Sequence, residues 1–91
     1  MNTYPWDPTE HLDSEEAIAA YLSAAFEDGD IVLIKAALSD VAKARGMSEI
    51  AEKAGYTRAG LYKALGENGN PSFDLIAHVV RALGVKMTVA A

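Results

Sequence analysis

The sequence predicts an all-α domain of five helices, the third and fourth forming a helix-turn-helix, closed by a short C-terminal β-strand. Three observations carry that prediction. Apolar residues recur at helical spacing through residues 13–83, and cap residues and glycines punctuate them where helices would start and stop. Ala51 lies four residues before Gly55, and Leu61 six after it. That spacing suits two helices in close contact: Ala51 lets the second pass near the first, Gly55 takes the positive φ of the turn, and Leu61 and Leu65 point inward one helical turn apart.

Each element has its own signals. Residues 1–12 lack periodicity and carry Pro5 and Pro8, which predicts an extended arm with Tyr4 and Trp6 as its aromatics. Residues 13–91 form the single helical domain. Asp13 with Glu16 fits a capping box and Leu12 a hydrophobic staple. Ile18, Tyr21, Leu22, Ala25 and Phe26 then make one apolar face, and Gly29 ends the first helix. Asp30 caps a second helix over residues 31–45, whose inner stripe is Ile31, Ile34, Leu38, Val41 and Ala42. Lys43 and Arg45 suit its negative C-terminal end, and Gly46 stops it. The helix-turn-helix occupies residues 47–65, with Ser48 and Thr57 as caps of its two helices and Gly66 as the stop. Residues 67–71 are a loop by composition. Ser72 opens a last helix with Leu75, Ile76, Val79, Val80 and Leu83 inward, closed by Gly84. Residues 85–89 alternate apolar and polar, which predicts a strand whose simplest partner is its own copy in a dimer through Val85, Met87 and Val89.

Charge divides the chain. Residues 1–30 hold eight acidic residues and no Lys or Arg, a charge of −8. Residues 31–91 hold all eight basic residues against five acids, a charge of +3, so the chain carries −5. An acidic front on a mildly basic body is a partner signal, although the acids also suit a solvated helix face. There is no cysteine, hence no disulfide framework or thiol chemistry. The N-terminal residues do not form a signal peptide and no apolar run approaches a membrane span, so a cytoplasmic protein is expected.

The second helix of the motif is of the kind that enters the DNA major groove. With Leu61 and Leu65 inward, Thr57, Arg58, Ala59, Tyr62 and Lys63 lie on or beside its exposed face. Arg58 has the fork for a guanine edge and Ala59 can meet a thymine methyl. Thr57 and Lys63 suit phosphates, as does Ser48 at a helix N-terminus, and Tyr62 has a hydroxyl fit for either role. Asn68 and Asn70, in the following loop, are further phosphate candidates. Ser48 and Thr57 serve equally as plain helix caps, and Tyr62 equally as a packed side chain. Gly60 weakens this helix by roughly 1 kcal/mol relative to Ala. An enzyme is not expected: His11 and His78 stand apart, and no metal-ligand spacing, phosphate loop or nucleophile motif is present. No cofactor is called for.

Residues 31–84 resemble the compact helical DNA-binding domain of lambda repressor and Cro. Over nearly the whole chain the resemblance is to addiction-module antidote proteins, HigA-like antitoxins with a Cro-type helix-turn-helix. It rests on Pro5-Trp6-Asp7, His11-Leu12, Ala20-Tyr21-Leu22, Gly29-Asp30, Ala44-Arg45-Gly46-Met47-Ser48, Leu61-Tyr62-Lys63-Ala64-Leu65 and Gly69-Asn70-Pro71-Ser72-Phe73, in that order. It implies an antitoxin of a type II toxin–antitoxin module. Such a protein neutralises a small basic RelE- or ParE-like toxin and represses its own operon by binding double-stranded operator DNA as a homodimer. The acidic front, with Trp6, Glu15, Glu16, Tyr21 and Phe26, is then the candidate toxin-holding surface. A stand-alone prophage-type repressor and a protein-binding module without DNA binding are the alternatives.

Overall fold

A computed structural model describes residues 12–89, which form five helices: α1 (Glu15–Asp28), α2 (Ile31–Arg45), α3 (Met47–Ala54), α4 (Arg58–Leu65) and α5 (Phe73–Ala82). The residues before Leu12, including Tyr4, Trp6 and His11, lie outside the described part. α2 is the central strut. It packs on α1, α3 and α4, while α5 closes the body against α3. The most deeply buried large side chains, Ile18, Leu38, Val41, Leu61 and Val79, come from α1, α2, α4 and α5, so one core joins the elements. Each such aliphatic contributes about 1.5–3 kcal/mol by burial. No helix among the described residues is long and apolar enough to cross a membrane.

Asp30, Thr57 and Ser72 cap α2, α4 and α5 through side-chain oxygens that accept from Val32, Gly60 and Leu75 amides at 2.9, 2.9 and 3.0 Å. Between α3 and α4, Gly55 adopts φ +85°, where a Cβ would strain the chain. The adjoining amide of Tyr56 donates back to the Ala51 carbonyl at 2.8 Å. Ala51 is 1% exposed, which is how α4 crosses so near α3.

Four expectations are corrected. α1 is capped by Ser14, whose hydroxyl accepts from Ala17 N–H at 3.1 Å. Asp13, the expected cap, instead lends its carbonyl to Arg45 at 3.3 Å. Adjacent Asp and Ser both suit an N-cap, so the sequence leaves a one-residue ambiguity there. Ser48 is not a cap: α3 begins at Met47, directly after Gly46, because Met47 is drawn into the core. Ile31 does not belong to the inner stripe and is 49% exposed. It is the first residue of α2, in a turn whose next two residues, Val32 and Leu33, are exposed as well. Residues 85–89 form no strand, and no strand occurs among the described residues. A strand needs a ladder partner, and every neighbouring element is a helix. Val85 packs against the core instead, while Met87 and Val89 remain exposed.

Candidate nucleic-acid interface

Leu61 and Leu65 hold α4 by its inner face, which leaves Thr57, Arg58, Ala59, Tyr62 and Lys63 exposed together. Thr57 is also the helix cap, and a Cβ on Gly60 would lie 2.9 Å from its hydroxyl oxygen. Gly60 thus leaves room for the cap that starts α4. Around Tyr62 the structure gathers charge: the Arg58 guanidinium carbon lies 5.2 Å and the Lys43 ammonium 5.7 Å from the ring centroid. Each contact is worth about 0.5–1 kcal/mol at an exposed site and holds its cation in place. Lys43, Ser48, Arg58 and Tyr62 line one shallow groove at the start of α3. No side chain caps that end of α3, so its leading amides lack a side-chain acceptor. Cations, free amides and a hydroxyl are the components of a phosphate seat. Glu49 also borders the groove, but its carboxylate is paired with Lys53 at 3.1 Å.

Asn68 and Asn70 are exposed in the loop after α4, and that loop is held by an unexpected residue. Lys35, on α2, is 7% exposed. Its ammonium donates to the carbonyls of Gly66, Glu67 and Gly69 at 3.1, 3.2 and 2.8 Å. Gly66 is the C-cap of α4, so a buried cation sits at the negative end of that helix dipole. The loop also passes so close that a Cβ on Gly69 would collide with the carbonyls of Lys63 and Ala64. The end of α4 and the two asparagines are therefore positioned from α2.

Among the described residues, those expected to hold a toxin are spread along α1. Trp6 lies outside the described residues. Glu15 and Glu16 are exposed in the first turn of α1, where the Glu15 carboxylate overlies Gly84. Phe26 is about 16 Å further along the same helix, half-buried beside the C-terminal residues. Tyr21 is half-buried and donates its hydroxyl to Asp40 at 2.8 Å. Of the expected dimer residues, Val85 packs inward while Met87 borders an apolar groove with Phe73, which is 72% exposed. His78 is tied to Asp74, at 2.7 Å from its carbonyl and 3.5 Å from its carboxylate. Desolvation, and after it the same carboxylate, push the Tyr56 phenol above its ordinary pKa. Among the described residues no cluster of three or more His, Asp or Glu could hold a metal ion.

A family described as "Probable addiction module antidote protein" matches residues 2–91. The chain belongs to this antidote family. An uncharacterized protein of Haemophilus influenzae is 48% identical over 84 residues, covering 92% of this chain and 87% of that protein. No solved structure matches the chain. Membership of the antidote family implies a toxin partner, and it extends across the acidic front as well as the helical body. Two residues of this antidote's candidate interface escaped sequence reasoning. In the sequence Lys43 is explained by the helix dipole alone. Lys35 left a trace: it stands four residues after Ile31 and three before Leu38, a charge set into an apolar stripe.

Proposed function

We propose that this antidote protein neutralises a RelE- or ParE-like toxin by direct binding and represses its own operon by laying α4 in the major groove of operator DNA. The observation that carries the DNA half is the gathering of Lys43, Ser48, Arg58 and Tyr62 on one groove beside the exposed face of α4. Arg58 reads a guanine edge and Ala59 a thymine methyl. Lys43, Lys63, Thr57, Ser48 and the two asparagines hold phosphates and fix the register. The body charge of only +3 makes nonspecific affinity weak and salt-sensitive. A homodimer then supplies the rest, reading two half-sites about 34 Å apart. The apolar groove between Phe73 and Met87 supports self-association without a strand. The toxin half rests on the family and on the acidic front.

The test has two arms. A reporter fused to the DNA upstream of the gene should be repressed by the wild-type chain and released by Arg58→Ala with Lys63→Ala. Growth arrest caused by the product of the adjoining gene should be relieved by both proteins. Repression by the double variant would remove α4 from the interface, and arrest unrelieved by the wild type would remove the antitoxin reading.

A further inference from the structure

Residues 27–33 are exposed without interruption at the corner where α1 turns into α2. The run begins with Glu27, Asp28 and Asp30 and ends with Ile31, Val32 and Leu33, which are 49, 65 and 43% exposed. Single exposed aliphatics are ordinary, but three in succession wrap most of the way around the first turn of a helix and make a continuous apolar knob. The knob is preformed. Asp30 caps α2 through the Val32 amide, and Gly29 ends α1 beside it. No cation among the described residues pairs with Glu27 or Asp28, so the negative charge around the knob is not neutralised internally.

We propose that this corner is the seat of the toxin, a partner that presents apolar side chains ringed by Lys and Arg. The inference rests on the antitoxin reading and moves the contact surface away from Glu15 and Glu16, at the opposite end of α1. Charge selects the occupant. A second copy of this chain, seated about a two-fold axis, would set Glu27, Asp28 and Asp30 against themselves. A basic partner finds both halves of its surface answered. The corner also lies about 18 Å along α2 from Lys43, so toxin and DNA occupy opposite ends of one rigid helix.

The test is calorimetry of the full chain against the small protein encoded beside its gene, with two variants. Val32→Lys leaves the Asp30 cap intact, since the cap bonds the Val32 backbone. Asp28→Lys puts a cation at a helix C-terminus, where it is tolerated. Val32→Lys should weaken binding by about 30-fold or more, as loss of a central apolar contact does. Asp28→Lys should weaken it by about 10-fold at low salt and less at high salt. Wild-type binding that both variants retain would overturn the corner while leaving the antitoxin reading in place. No binding by the wild type would overturn both. Unchanged toxin affinity, with a lower sedimentation mass for free Val32→Lys, would make the corner a self-interface and also overturn the proposal.

Discussion

Replacing Lys35 by Met keeps the aliphatic stem and removes the ammonium, leaving the carbonyls of Gly66, Glu67 and Gly69 without their donor. Hydrogen bonds from a charged group contribute roughly 1.5–3 kcal/mol each, while burying the lone ammonium costs several kcal/mol in the other direction. Loop carbonyls near the surface also regain some water. The net expected loss is about 2–4 kcal/mol, a large part of the ~5–15 kcal/mol that holds such domains together. For a domain of this size that lowers Tm by roughly 8–30 °C, read by circular dichroism. Lys35→Arg should restore little of it, because a planar fork does not point three donors at three carbonyls converging on one atom. Hydrogen exchange should quicken first in residues 66–70, and operator affinity should fall because Asn68 and Asn70 lose their placement. A Lys35→Met protein that melts within about 2 °C of wild type would refute the view that this cation holds the end of α4.

Three further substitutions probe the loop after α4, the α4 cap and the contact between α1 and α2. Gly69→Ala should cost about 1–3 kcal/mol in chemical denaturation, since its Cβ meets the Lys63 and Ala64 carbonyls; an unchanged midpoint would mean the loop yields freely. Thr57→Ala should cost about 1 kcal/mol of stability through the lost cap, measured by the same denaturation, and should also weaken DNA binding; unchanged DNA affinity would leave Thr57 a cap alone. Tyr21→Phe should lower stability by about 1 kcal/mol through the lost bond to Asp40 while leaving toxin affinity unchanged; weaker toxin binding in calorimetry would return Tyr21 to the contact surface.

Local chemistry was readable in the sequence, and tertiary coverage was not. Ala51, Gly55, Leu61 and Leu65 lie where their spacing placed them, because the contacts they serve span a few residues. The caps Asp30, Thr57 and Ser72 were legible for the same reason. Ile31 and Lys35 share one helical face, yet the apolar residue is exposed and the charged one buried. Periodicity names a face but does not say where the covering body ends, nor that three carbonyls wait beyond the stripe. The alternation of residues 85–89 describes a chain able to pair, and pairing depends on an edge that the helical body does not offer. At the candidate interface, Arg58, Tyr62 and Ser48 were named from α4 and the start of α3. Lys43 joins them through a fold contact between the end of α2 and Tyr62.

Operator binding by α4 and the groove beside it is read by fluorescence anisotropy with labelled duplex from upstream of the gene, titrated across salt concentrations. The wild-type chain should bind with an affinity that falls steeply with salt. Arg58→Ala with Lys63→Ala should lose about 100-fold or more in affinity and flatten the salt slope by about one unit per protomer. Equal affinity and equal slope for the two proteins would contradict operator binding through α4.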